Sequence, residues 1–141
     1  MASATRSIVI NAPPERVFDV ICDYEKYPQF LSEVKSIRTS GRRGNQVDIH
    51  YEVDVMKHIH YTLRMTEDRP RGLVWTFVEG ELLKDNRGGW VLEPTADGKT
   101  KAIYTVDIAL GLLVPRALLS AMVESSLPKM LESFKKRVES Q

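Results

Sequence analysis

The sequence predicts an α+β fold in which an antiparallel sheet packs against one long C-terminal helix. Residues 114–141 carry apolar side chains at three- and four-residue steps, with most charged side chains on the other face, which is typical of an amphipathic helix. The preceding segments alternate apolar and polar residues between turn signals, as half-exposed strands do. Because such a helix is unstable alone in water, we expect the strands to cover its apolar face.

Composition favours one domain over residues 1–141. The chain is 43% hydrophobic and has a formal net charge of +1, which supports a single core and gives no basic stripe for nucleic acid, so no DNA partner is predicted. Cys22 is the one cysteine, which excludes an intrachain disulfide and a cysteine-based zinc site. Neither a signal peptide nor an apolar run of about 20 residues is found, so we expect a cytoplasmic protein.

The first elements are a short strand over residues 6–10 and two small helices. Asn11 precedes Pro13 and Pro14, a pattern that predicts a helix start with Asn11 as the cap. Asp23 is expected to cap a second short helical turn in the same way.

Residues 47–55 and 59–66 alternate in polarity and predict a hairpin. Matching the apolar faces of the two strands places Val53 opposite Tyr61 and leaves residues 56–58 as the loop.

Three histidines in this hairpin raise the hypothesis of a metal site. In the predicted register His60 lies opposite Asp54 and His50 opposite Arg64, on different rungs, while His58 lies in the loop. A carboxylate-rich cluster that would complete a tetrahedral set is also missing from this arrangement. We therefore predict no metal and no cofactor, and interpret the histidines as members of cross-strand polar pairs.

Later signals predict three more strands and divide the C-terminal helix. A turn is expected near residues 85–86, and residues 96–98 are expected to form a three-residue hairpin loop that pairs Trp90 with Tyr104. Pro115 suits the first helical position, and Pro128 should kink the helix or split it near Ser126.

The side chains predicted to face the helix are consistent with a ligand cavity. They are rich in aromatic rings and phenol hydroxyls, and a buried hydroxyl needs a hydrogen-bond partner. A packed core whose hydroxyls reach its rim is the alternative. The predicted cavity residues are Tyr51, Tyr61, Trp75, Phe77, Trp90 and Tyr104 from the sheet and Leu118 and Met122 from the helix.

Signals for catalysis are few. The chain has no glycine-rich phosphate loop and no nucleophile elbow. Glu79 is a candidate acid or base if it points inward, with exposure at a strand end as the alternative, and Tyr51, Tyr61 and Tyr104 are further candidates. Arg116 could reach the polar end of a ligand or lie on the surface. The catalytic residues are therefore left unassigned.

Several segments resemble the START-like superfamily, also called Bet v 1-like or SRPBCC. They are residues 10–20 (INAPPERVFDV), 23–30 (DYEKYPQF), 86–94 (NRGGWVLEP) and 127–131 (LPKML). Within the superfamily the similarity is to the polyketide cyclase/dehydrase and coenzyme Q-binding Coq10 branch, which includes the ribosome-association toxin RatA. The resemblance implies a helix-grip fold, with a seven-stranded antiparallel sheet curved around the long C-terminal helix, two short helices between the first two strands, and a hydrophobic tunnel.

Three functions follow from this resemblance. The first is binding or transport of a small hydrophobic ligand, such as a lipid, a ubiquinone-like quinone or a polyketide-like aromatic, in the tunnel. The second is a polyketide cyclase/dehydratase or aromatase. The third is a ribosome- or protein-associating factor, with a peripheral membrane or ribosome contact. The near-neutral net charge of the chain gives this third function little support.

Overall fold

The computed structural model describes residues 2–55, 57–112 and 114–141, apart from the side chains of Ala2 and Met122. The strands are β1 (Ala2–Ile10), β2 (Val34–Arg43), β3 (Gln46–Val55), β4 (Lys57–Asp68), β5 (Gly72–Gly80), β6 (Leu83–Pro94) and β7 (Thr100–Leu110). The helices are α1 (Pro14–Ile21), a 3-10 helix (Tyr24–Gln29), α2 (Arg116–Ser120), a π-helical turn (Ala121–Ser125) and α3 (Ser126–Glu139).

The strands form one antiparallel sheet in the order β1-β7-β6-β5-β4-β3-β2. The chain therefore runs as a meander from β2 to β7, and β1 pairs with β7. The sheet, the C-terminal helix and the short helices between β1 and β2 confirm the predicted α+β helix-grip fold. None of the helices in the described residues combines the length and apolar composition needed to cross a membrane.

Helix α3 is held by an aromatic cluster around Phe134, whose side chain is 2% exposed. The Phe134 ring centroid lies 5.3 Å from that of Tyr27, 5.1 Å from that of Phe30 and 5.2 Å from that of Trp90. All three contacts are edge-to-face, an arrangement that aromatic quadrupoles favour. The cluster joins α3 to the 3-10 helix and to the sheet, so it sets the position of the helix over the sheet.

The predicted caps of the short helices are wrong. Pro13, not Asn11, precedes the first residue of α1, and no side chain caps this helix. The backbone N–H of Asn11 instead donates to Glu139 Oε2 at 2.9 Å. Asp23 precedes the 3-10 helix without a capping hydrogen bond.

The first strand also starts earlier than predicted, at Ala2, because its pairing with β7 extends over polar residues.

The predicted register of the β3–β4 hairpin is wrong by two residues. Tyr61 pairs with Tyr51 rather than with Val53, and Val55 pairs with Lys57. A shift by two keeps every side chain on its predicted face, because strand side chains alternate with a period of two. Polarity therefore determined the faces correctly but could not choose between rungs. Of the predicted loop 56–58, residues 57 and 58 belong to β4 and Met56 lies outside the described residues.

The β6–β7 hairpin confirms its predicted register, with Trp90 opposite Tyr104. Gly98 has a φ of 81°, as the three-residue loop requires. The predicted turn at residues 85–86 is wrong, because both residues lie inside β6. The chain reverses before β6, where Leu82 adopts a φ of 66°.

The C-terminal helix is divided near Ser126, as predicted. Pro115 precedes the first helical residue rather than occupying it. The π-helical turn ends at Ser125, three residues before Pro128. Proline cannot donate to the carbonyl four residues earlier, and its ring collides with that carbonyl in a regular helix. The wider turn accommodates the proline before α3 begins.

The partly buried carboxylate of Glu67 on β4 joins Arg42 on β2 to Tyr24 on the 3-10 helix. Arg42 contacts Glu67 with Nη1–Oε1 at 2.7 Å, and the Tyr24 hydroxyl donates to Glu67 Oε2 at 2.6 Å. Burial alone would raise the pKa of the Glu67 carboxyl, but the hydrogen bonds from Arg42 and Tyr24 outweigh it and hold this pKa below its ordinary value. The charged carboxylate therefore stabilises the fold.

We expect Gly88→Ala to destabilise the protein and Gly111→Ala to leave its stability nearly unchanged. A Cβ on Gly88 would overlap the Thr105 carbonyl oxygen and lie 2.8 Å from Trp75 Cζ2, whereas a Cβ on Gly111 meets no atom of the described residues closer than 3.8 Å. Because backbone and ring must both move, the expected loss for Gly88→Ala is about 2 kcal/mol in free energy of unfolding. Urea denaturation measures both variants, and equal midpoints would contradict the prediction.

We expect Glu67→Gln to lower the free energy of unfolding by about 1–2 kcal/mol at pH 7. Because the folded-state pKa of Glu67 is lowered, its stabilisation is present above the unfolded-state pKa and is lost as the pH falls through the folded-state value. The difference between wild type and variant should therefore shrink in acid. Urea titrations between pH 3 and 7 measure it, with the exposed Glu93→Gln as control, and a pH-independent difference would argue against the prediction.

Candidate functional site

A cavity of about 200 Å³ lies between the sheet and α3. Residues 31–34, which lead into β2, form part of its wall, and strands β3 to β7 supply most of the rest. The helix side of the wall consists of Ser126, Leu127, Lys129, Met130, Ser133 and Phe134. Open space is therefore present between the sheet and α3, and its use as a ligand site stays a prediction.

Five of the eight predicted cavity residues line this space. They are Tyr51, Tyr61, Trp75, Trp90 and Tyr104. Phe77 is half-buried and lies outside the lining, because β5 pairs with β6 only as far as Trp75 and diverges from it beyond that point. Leu118 is buried in α2, before the π-helical turn, but is not part of the lining. The side chain of Met122 lies outside the described residues.

The aromatic rings of the lining form two contacting groups. Tyr51 and Tyr61, now opposite each other, stack with centroids 5.0 Å apart. Tyr104 lies 5.3 Å from Trp75 and 5.0 Å from Trp90. The cavity therefore presents ring faces and edges, which suit a flat apolar ligand.

No hydrogen bond joins the hydroxyls of Tyr51, Tyr61 and Tyr104 to any described residue. Among the described residues, every polar side-chain atom that is fully buried has a hydrogen-bond partner. The hydroxyls therefore reach open space. Burial raises the pKa of each phenol well above its ordinary value. They stay protonated at neutral pH and can donate a hydrogen bond to an oxygen or nitrogen atom. The hydroxyl of Tyr27, in contrast, donates to the Ile21 carbonyl.

Asn86 adds a polar group that the sequence interpretation missed. Its side chain is 5% exposed, lines the cavity, and accepts a hydrogen bond from Trp75 Nε1 at 3.0 Å. This bond engages the amide oxygen and leaves the amide N–H groups as donors. The alternation of β6 carries the signal that could have found it, because Asn86 lies four residues before Trp90 and therefore faces the same side of an extended strand.

The charged groups of the described lining lie at its rim. Ser126 Oγ donates to Glu33 Oε1 at 2.8 Å, and the exposed Lys129 is the other charged side chain. The candidate acid Glu79 is exposed on β5 and outside the lining, and the same is true of Arg116 at the start of α2. Neither is brought to the cavity.

Cys22 does not supply a nucleophile. Burial raises the pKa of its thiol to about 12, an effect that a hydrogen bond with Tyr24 only partly opposes. The thiol is therefore protonated at neutral pH, and the thiolate that nucleophilic chemistry needs is scarce.

The corrected hairpin register changes the surroundings of the histidines. Glu52, not Asp54, lies opposite His60, and Asp54 lies opposite His58. The prediction of no metal site from the sequence assumed the predicted register, and that register is wrong. His58, His60 and Glu52 each place a potential ligand atom within 4.8 Å of the others.

The sequence matches the family described as "Polyketide cyclase / dehydrase and lipid transport" over residues 1–139. None of the curated proteins compared with it matches significantly.

Solved structures share the fold over nearly the whole chain. TTHA0849 from Thermus thermophilus has a TM-score of 0.88 and 22% identity, covering 99% of this chain and 98% of its own. Zhui aromatase/cyclase from Streptomcyes sp. R1128 has a TM-score of 0.90 and 17% identity, covering 98% of this chain and 93% of its own. A START superfamily protein from Mycobacterium smegmatis has a TM-score of 0.85 and 16% identity, covering 98% of this chain and 97% of its own. At these identities the likeness shows the fold alone.

The predicted resemblance to polyketide cyclase/dehydrase proteins is confirmed by the family match, and the fold is shared with a START superfamily structure, while placement in the Coq10 branch stays a prediction. From the match over residues 1–139 and the helix-grip fold, we conclude that the chain belongs to the polyketide cyclase/dehydrase and lipid transport family.

Proposed function

We propose that this protein binds a small, flat hydrophobic ligand that carries at least one hydrogen-bond acceptor, in the cavity between the sheet and α3. The observation that carries the proposal is an aromatic lining with three phenol hydroxyls free of described protein partners and one amide donor. Apolar walls with a few convergent polar groups are typical of small-molecule sites. A quinone ring and a polyketide-like aromatic both fit this chemistry.

The size of the cavity limits the part of the ligand that it encloses. An apolar cavity of about 150 Å³ holds benzene. The volume of this cavity, about 200 Å³, therefore suits a single ring or two fused rings. A longer ligand would have to pass the rim at Glu33 and Lys129. The proposed enclosed part is therefore a ring system and not a long acyl or isoprenoid chain.

Binding is favoured over acid–base catalysis by the chemistry of the lining. A cyclase or dehydratase needs a group that gains or loses a proton near neutral pH. Within the described lining, the three phenols stay protonated, and the carboxylate of Glu33 and the ammonium of Lys129 lie at the rim. This distribution supports a binding or carrier protein and argues against the cyclase alternative.

We expect Ser133→Trp to weaken ligand binding and Glu132→Trp to preserve it. Ser133 faces the cavity from α3, whereas its neighbour Glu132 is exposed. The indole at position 133 would occupy the space that the ligand needs, and position 132 controls for the effect of tryptophan on the helix. Native mass spectrometry with solvent extraction identifies a co-purified ligand, and a fluorescent apolar probe measures binding if the protein is empty.

The expected result is a loss of affinity of tenfold or more, about 1.4 kcal/mol, for Ser133→Trp and little change for Glu132→Trp. Thermal unfolding confirms that both variants are folded. Equal binding by the two variants would place the ligand elsewhere and overturn the proposal.

We expect the phenols to distinguish a carbonyl compound from the hydrocarbon of the same shape. 1-Tetralone and tetralin share a bicyclic skeleton, and only the former accepts a hydrogen bond. Changing Tyr51, Tyr61 or Tyr104 to phenylalanine should, for at least one of them, weaken tetralone binding about tenfold, the effect of one hydrogen bond. Tetralin binding should change little.

The fluorescence of Trp75 and Trp90 measures occupancy directly, because both tryptophans of the chain line the cavity. Equal weakening of both compounds would indicate a packing defect in place of a lost hydrogen bond. Unchanged tetralone binding in all three variants would contradict the proposed role of the hydroxyls.

A further inference from the structure

The outer face of the β3–β4 hairpin brings two histidines and two carboxylates together. His58 and His60 are two residues apart on β4 and therefore share a face. Glu52 pairs with His60 across the ladder, and Asp54 pairs with His58. Four side chains that can bind a metal or support a ligand thus lie on the same face of the hairpin, on two rungs separated by the Val53–Ile59 pair.

We propose that Glu52, His58 and His60 form a binding site for a divalent transition metal, with Zn²⁺ as its representative, and that Asp54 positions His58. This inference is independent of the proposed ligand cavity. It rests on the observed hairpin register.

The distances suit three ligands of one small ion. His58 Nε2 lies 2.8 Å from Glu52 Oε1, and His60 Nδ1 lies 4.0 Å from Glu52 Oε2. A tetrahedral zinc ion about 2 Å from each ligand atom separates those atoms by about 3.3 Å. The two observed separations, which involve different oxygens of Glu52, lie on both sides of this value, and one ligand atom from each residue lies within 4.8 Å of the other two. The side chains are 37–55% exposed, so small rotations can bring the atoms to equal distance from an ion.

The chemistry of the donors favours a borderline metal over calcium or magnesium. Two imidazoles and one carboxylate match the ligands that zinc accepts, whereas calcium and magnesium need sets of oxygen ligands. Three protein ligands leave the fourth position to water. The rings of His58 and His60 meet edge to face with centroids 4.9 Å apart, so both imidazoles already lie beside the carboxylate.

Asp54 acts on the site through His58. Its Oδ1 lies 2.6 Å from His58 Nδ1, and its Oδ2 lies 4.0 Å from Lys35 Nζ. A carboxylate that accepts the Nδ1 proton orients the ring and leaves the Nε2 lone pair for a metal. In the protonated imidazole the Nε2 proton points at Glu52, and a bound metal takes the place of that proton.

Isothermal titration calorimetry with ZnCl₂ on the full chain, free of any histidine tag, tests the proposal. The wild type should show saturable 1:1 binding. His58→Gln, His60→Gln and Glu52→Gln should each weaken it tenfold or more. Asp54→Asn should weaken it about tenfold, as loss of a supporting carboxylate does at other zinc sites.

His50→Gln is the matched control. His50 lies on the same face of the hairpin, two residues from Glu52, but its ring contacts Ser40 Oγ at 2.7 Å and Thr62 Oγ1 at 2.9 Å, and it is not one of the three residues whose ligand atoms lie within 4.8 Å of one another. We expect this variant to bind zinc within twofold of the wild type. Far-UV circular dichroism shows whether each variant is folded.

The histidine ring resonances in NMR spectra provide a second readout. Addition of ZnCl₂ should shift the signals of His58 and His60 and leave those of His50 in place. Absence of saturable binding, wild-type affinity in both His58→Gln and His60→Gln, or an equal shift of all three rings would overturn the proposal.

Discussion

The contact of Phe134 with three aromatic rings is the interaction on which the rest of this structure depends. It attaches α3 to the 3-10 helix through Tyr27 and Phe30 and to the sheet through Trp90. The attachment lies in the C-terminal half of the helical segment. The sheet and the first turns of α3 are consequently separate enough to leave the cavity, which has Phe134 as one of its walls.

The path of the helix before this attachment depends on Pro128. Because proline disrupts the regular helical hydrogen bonding, the chain widens into a π-helical turn before α3 begins. Ser126, at the start of α3, then reaches Glu33 across the rim of the cavity. The effect of Pro128 on backbone hydrogen bonding thus places the polar Ser126–Glu33 contact at the rim of the apolar cavity.

The cavity and the hairpin cluster use opposite faces of the same strands. Val53 and Val55 line the cavity, while Glu52 and Asp54, which alternate with them, point outward to His58 and His60. Inside, desolvation keeps the phenols neutral and suited to donate hydrogen bonds. Outside, the carboxylates and imidazoles that we propose as a metal site are exposed to water. The pleat of a single hairpin therefore separates two chemistries that would be incompatible in one site.

The sequence by itself determined the α+β class, the strand faces and the split near Ser126, and five of its eight predicted cavity residues lie in the lining. Polarity and proline chemistry act locally, so they can be interpreted without a fold. Only the tertiary structure decided that β3 and β4 pair two residues away from the predicted register, because side-chain alternation is identical after a shift of two. It also placed Asn86 in a buried strand, since the turn propensity of asparagine is outweighed by its hydrogen bond with Trp75.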